Sequence, residues 1–351
     1  MRSRSILAAF GAAAIASVVV GTPAQAASPP LIEGLAGPLS LSVDHGKIYV
    51  AQSFGGKLTR FDTDGSGGKN LVRRNPSIEI AAVEAAGPGV LFAMTGKNKD
   101  GKKFARLMHR ASDGTITRRA DLRGFEKSFN PDGHRTYGFR DLGDNCTEKL
   151  PEEIGDPSYQ GIVDSHPYAT ALMGDGTVVV ADAAGNDIIT VSPSGFRTEL
   201  ATLPAQPLKV TTSRAAAFHF PACTIGHRFW FEPVPTDVEV RNGLLYVSTL
   251  PGGPEDPSLG ARGKVYMIHP RTSEITLLGR GFAGATNLAV GPREGEIFVT
   301  ELFGNAISTI KDGVAKKVFT VPAPSAIEWH RGRLFATQDT FENGSIIKLN
   351  P

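Results

Sequence analysis

One pattern limits this chain more than any other: short β-prone runs separated by tight turns, recurring along most of its length. It is plainest over residues 163–195. An apolar run from Tyr168 to Met173 meets the turn Gly174-Asp175-Gly176, and a β-branched run follows from Thr177 to Val180. The corner Asp182 to Asn186 leads into a third run, Asp187 to Val191, and a fourth, Arg197 to Leu203, completes the unit. Short runs rich in Val, Ile and Thr and bounded by Gly, Pro, Asn and Asp read as antiparallel strands, because Gly and Asn tolerate the positive φ of the connecting turns.

Further copies begin at Leu39, Ile80, Asp237, Thr286 and Ala326. The last reaches only its third strand, Ser345 to Leu349, and a bare strand edge calls for a partner. Leu31 to Gly37 matches the fourth-strand stretch Thr276 to Phe282, so the N-terminal segment is expected to supply it. The expected fold class is all-β: a six-bladed β-propeller of four-stranded antiparallel blades, closed where the N-terminal strand completes the last blade. Gly 40 and Pro 24 suit a chain so rich in turns.

The first residues read as an export signal. Arg2 and Arg4 form a basic start, Ile6 to Val20 is an apolar run shorter than a membrane span requires, and Ala24-Gln25-Ala26 supplies small residues for cleavage. Residues 1–26 are therefore expected to be a signal peptide of the Sec type, and 27–351 a single propeller domain of a secreted protein. Without Arg2 and Arg4, the 37 basic residues fall to 35 against 35 acidic ones. That balance speaks against nucleic acid, and no membrane span follows the leader. A monomer is expected.

Two cysteines, Cys146 and Cys223, in a chain bound for an oxidising compartment point to one disulfide. The competing reading takes His219, Cys223 and His227, spaced by four, as part of a metal site. In a four-stranded meander, the second-to-third loop and the exit to the next blade emerge on one face. All the long segments fall in that class, including insertions at 124–164 and 204–235, so one rim is expected to carry the functional loops.

Candidate residues gather at that rim. His166 could act as a general base. Asp164, Tyr168, Thr236, Asn287 and Glu328 lie where the innermost strands open and would face a ligand. Gln52, Asp182 and Glu301 each precede a Gly or Asn corner, where a side-chain oxygen can accept backbone N–H bonds. In an alternative reading, Asp182, Asp237 and Glu301 hold Ca²⁺ or another divalent cation, for which carboxylate oxygens are the right donors.

The stretches Phe125 to Gly133 (with Asn-Pro-Asp-Gly), Asp164-Ser-His-Pro-Tyr168 and Val180 to Asp187 resemble the ScyD/ScyE family of exported propeller proteins. The corners also resemble those of NHL-type repeats. The resemblance implies a propeller and export, and assigns no catalytic residue. The long insertion around Cys146, between the first two stretches, departs from the family pattern.

The leading expectation is a secreted propeller that binds a small molecule, or an extracellular protein or polysaccharide, on the long-loop face. The alternative is a divalent-metal-dependent hydrolase of lactonase type, or a lyase, acting on a cyclic natural product. An envelope scaffold with a plugged channel is a third.

Overall fold

The computed structural model describes residues 29–351, so the expected signal peptide and its cleavage point lie outside the described residues. Turn chemistry sets the local structure. Hairpins turn on His45-Gly46, Asn242-Gly243, Asp312-Gly313 and Arg331-Gly332, where both central residues have positive φ, as at Asn242 (53°) and Gly243 (75°). That backbone matches the right-handed twist of the strands it joins. The corner residues Gly56, Asn186 and Asn305 also adopt positive φ.

The strands pair in sequence order. Pro38–Asp44, Lys47–Gln52, Lys57–Asp62 and Lys69–Arg73 form a first meander, and 79–121 and 167–202 form the second and third. The fourth, 235–282, and the fifth, 285–320, follow the same order. One parallel pair, Arg280 with Val314, joins their outermost strands into a sheet of eight. Ile327–His330, Arg333–Gln338 and Gly344–Leu349 make the last meander. Ile32–Leu35 completes it, with Ile32 opposite Ile346 and Leu35 opposite Gly344. The expected closing strand is in place.

The apolar core lies between successive sheets. Leu58, Ile80 and Phe92 join the first to the second, and Leu107, Val180 and Ile189 join the second to the third. Ile188 with Val247, Phe282 with Val299, and Ile307 with Leu334 continue the series. Leu41 and Ile48 pack with Phe335 and Ile346, bringing the last sheet back to the first. Each such buried side chain contributes about 1.5–3 kcal/mol, so the circuit is held by many similar seams.

The insertions form a sheet of their own, which the repeat pattern did not foretell. Thr136–Phe139 pairs with Ser158–Gln160 on one side and with Arg228–Phe231 on the other, and Gln206–Lys209 adds the fourth strand. Phe139, Val210 and Ala215 are buried beneath it. Cys146 and Cys223 are bonded, with Cα atoms 5.8 Å apart. This overturns the metal reading of His219, Cys223 and His227, since the Cys223 sulfur is taken and His227 Nδ1 pairs with Asp141 at 3.1 Å. A helix, Leu122–Phe129, enters the insertion. The Asp121 carboxylate caps it by accepting from Gly124 N–H. Among the described residues no helix is long and apolar enough to cross a membrane.

Candidate functional site: the mouth of an acid-lined channel

Most polar side chains at the inner ends of the sheets hold the fold together. At the ends of the second strands, Gln52 accepts from Ala36 N–H (3.0 Å), Asp182 from His166 N–H (2.6 Å) and Glu301 from Ala283 N–H (2.6 Å). Each therefore ties the segment entering its own meander. Asp182 also accepts from Ser165 Oγ–H and Gly185 N–H, and Glu301 from Ser308 Oγ–H.

The innermost strands do the same from one sheet to the next. Asp237 Oδ2 accepts from Leu288 N–H (2.8 Å) and Asn287 Oδ1 from Ile327 N–H (2.7 Å). Thr236 donates to the Ala285 carbonyl (2.8 Å), and Ser325 donates to the Pro38 carbonyl (2.8 Å) across the closing seam. Thr236 and Asn287, expected to face a ligand, are thus buried and engaged with neighbouring backbone. Asp182, Asp237 and Glu301 are not brought together as a cation site. Among the described residues, no group of three or more His, Cys, Asp and Glu side chains is placed to hold a metal ion.

What the fold leaves over is a small constellation. His166 Nε2 lies 2.7 Å from Glu79 Oε2, with side chains 36% and 26% exposed, and the Tyr168 ring stands edge-on to the imidazole at 6.0 Å between centroids. Burial disfavours charge on His166, but the Glu79 carboxylate more than offsets this and lifts its pKa to about 9. The imidazole is thereby held toward its cationic form, paired with the Glu79 carboxylate. Asp164 is bound by Arg123 Nη1 (2.6 Å) and Lys103 Nζ (2.7 Å), which ties the helix and the 97–103 loop to the entrance of the third sheet.

Carboxylates follow further along the innermost strands. Glu84, Glu239 and Glu328 occupy one register, opposite Leu91, Tyr246 and Phe335, in the second, fourth and last sheets. The same register holds Ser42, Ala171 and Ala289 in the other three. The three glutamates are half-buried, and Ser42 Oγ–H donates to Glu84 (3.1 Å). Burial, then the charges of Asp237 and Asp44, push Glu84 up to about 8; burial with neighbouring carboxylates, Glu84 among them, holds Glu239 and Glu328 well above the usual carboxylate range. Sequence reading found Glu328 but missed Glu79, Glu84 and Glu239. An acid at one register of alternate copies was the available signal. A separate open hollow of about 450 Å³, lined by His134, Arg135, Thr136, Arg140 and Ser158, belongs to the insertion sheet and shares no residue with the channel.

No family model and no curated protein matches this chain, so the ScyD/ScyE resemblance gains no support. Solved structures do match. A glucose dehydrogenase aligns with TM-score 0.54 and 10% identity over 92% of this chain and 99% of its own. A catalytically inactive virginiamycin B lyase from Staphylococcus aureus, with quinupristin, aligns at 0.50 and 16% over 91% and 98%. A nidogen/laminin complex aligns at 0.50 and 12% over 84% and 86%. The fold is a β-propeller. At these identities the likeness concerns the fold alone, and propellers of this form serve both enzymes and binding proteins.

Proposed function

We propose that this is an exported six-bladed β-propeller that binds a polar small molecule at the channel mouth, beside the rim carrying the insertions. Glu79, His166 and Tyr168 form the contact surface. The observation that carries this reading is the Glu79–His166 pair. It is part-exposed and joins two titratable side chains to each other, whereas Asp182, Thr236, Asp237, Asn287 and Glu301 are engaged with backbone. A ligand suited to the site offers acceptors to the His166 imidazole and to the carboxyl groups of Glu84, Glu239 and Glu328, which burial keeps protonated to higher pH. The disulfide supports an oxidising compartment, in keeping with export.

A second reading, a hydrolase or lyase of cyclic compounds, is favoured by the same histidine in a different role. A protonated imidazole held by a carboxylate is a general acid.

Native mass spectrometry of the protein recovered from culture medium tests both. The wild type is expected to carry a small molecule that Glu79→Gln and His166→Ala lose while keeping the wild-type circular-dichroism spectrum. Retention of that molecule by both variants would refute the site. Conversion of the bound compound by the wild type, abolished in His166→Ala, would select the enzyme.

A further inference from the structure

The stretches 125–133, 164–168 and 180–187 meet between the helix Leu122–Phe129 and the corner of the third sheet. Glu126, Asp132, Asp182 and Asp187 come together there, each 0% exposed. Two of these acids have donors. Asp182 accepts the three bonds described above, and Asp132 Oδ2 accepts from Asn186 Nδ2–H (2.8 Å) and the Tyr137 hydroxyl (3.1 Å). The other two do not. Both oxygens of Glu126 and both of Asp187 are sealed from solvent and receive no hydrogen bond, and Asn186 Oδ1 is in the same condition. A sealed carboxylate with no partner costs several kcal/mol.

One oxygen of each acid converges on Gly185, a corner that leaves no room for a side chain. A Cβ built there would lie 2.9 Å from Asp187 Oδ1 and 3.4 Å from Glu126 Oε2. The nearby Arg123 guanidinium is bound to Asp164. Two carboxyl groups without donors are therefore sealed together at this corner, and the neighbouring Asn186 keeps an unpartnered amide oxygen. That is the donor chemistry of a hard divalent cation, which takes carboxylate and amide oxygens and completes its shell with water.

We propose that Glu126 and Asp187, with Asn186 Oδ1, bind a Ca²⁺ ion that fastens the insertion helix to the third sheet. Two carboxylates neutralise one such ion, so no third acidic ligand is required. The role is structural and independent of the ligand proposed for the channel mouth.

The test uses the full exported chain, stripped with EDTA and titrated with Ca²⁺ alone. One equivalent of Ca²⁺ per chain is expected by elemental analysis before stripping. At a hundredfold excess over its Kd, Ca²⁺ should raise Tm by roughly 5 °C. Glu126→Gln and Asp187→Asn are each expected to weaken Ca²⁺ binding tenfold or more. The double variant, which carries neutral amides in place of both charges, should fold in EDTA and show no response to Ca²⁺. A stripped wild type whose Tm is unmoved by Ca²⁺ overturns the proposal, as does a double variant that responds like the wild type. Loss of the channel-mouth ligand in Glu79→Gln leaves both readouts unchanged, so the two sites fail separately.

Discussion

Two groups of carboxylates sit in this propeller without a basic partner, and they have solved the problem differently. Glu84, Glu239 and Glu328 are half-buried on the innermost strands, so each can remain without a counter-charge by holding its proton to higher pH. Glu126 and Asp187 are closed off, and a sealed charge needs a counter-charge. The comparison teaches that the number of acids says little. Access to water decides whether such a cluster acts as a proton store or as a cation site.

The largest expected effect comes from opening the sealed region. The disulfide closes a loop with a sequence separation of 77, and the chain-entropy estimate for a loop of that length is about 4.5 kcal/mol. Cys146→Ser with Cys223→Ser is expected to destabilise the insertion sheet by a few kcal/mol, read as faster hydrogen exchange over 122–139 and 206–231. The channel strands should keep their protection. Equal loss of protection in both regions would show that the insertion and the ring unfold together, and the contrast between them would fail.

The intermediate effect is a pH dependence belonging to the channel alone. Glu84 has a folded pKa of about 8 against an ordinary value of 4.5, so the native state binds more protons than the unfolded chain between those limits. The resulting stabilisation is complete below about pH 4.5 and is lost as pH rises through 8. The facing groups are Asp44 and Ser42 on the first sheet, Asp237 and Glu239 on the fourth, and Glu328 on the last. Asp237, pushed up to about 7 chiefly by burial, acts in the same direction. The partial exposure of the glutamates screens these charges, which reduces the expected loss to about 1–2 kcal/mol between pH 5 and 8. Denaturant titrations should show that fall in the wild type and a flatter profile in Glu84→Gln. An identical slope in the variant would remove the channel from the comparison.

Much of the architecture was legible because it is local. Asn242-Gly243 and Arg331-Gly332 announce hairpins, and the strand Asp187–Val191 has the limits its β-branched run suggests. The closing strand could be found because Leu31 to Gly37 repeats a pattern seen elsewhere in the chain. The insertion sheet could not, since its strands are three or four residues long and Gly138 pairs with Trp230 far along the chain. The site was legible only in part. Polar residues at strand mouths look alike in sequence whether they serve a ligand or, like Asn287, accept from the next sheet's Ile327 N–H. Glu79 gained its meaning only when folding set it against His166, 87 residues away.

The smallest effect concerns a third kind of acid. Asp164 is part-exposed and already paired, with Arg123 and Lys103 on its two oxygens. It lacks the sealed surroundings of Asp187 and the unpaired condition of Glu328, so its contribution should be that of a surface ion pair, about 0.5–1 kcal/mol and reduced by salt. Asp164→Asn is expected to lower stability by that amount at low ionic strength and by less at 0.5 M salt, a concentration at which the Debye length is only a few ångströms. Removing its charge also relieves repulsion on Glu126, to which Asp164 contributes. Ca²⁺ binding should therefore weaken slightly, by less than in Glu126→Gln. A loss of Ca²⁺ response as large as in Glu126→Gln would mean that Asp164 belongs to the cation site itself, and the boundary drawn between paired and sealed acids would have to move.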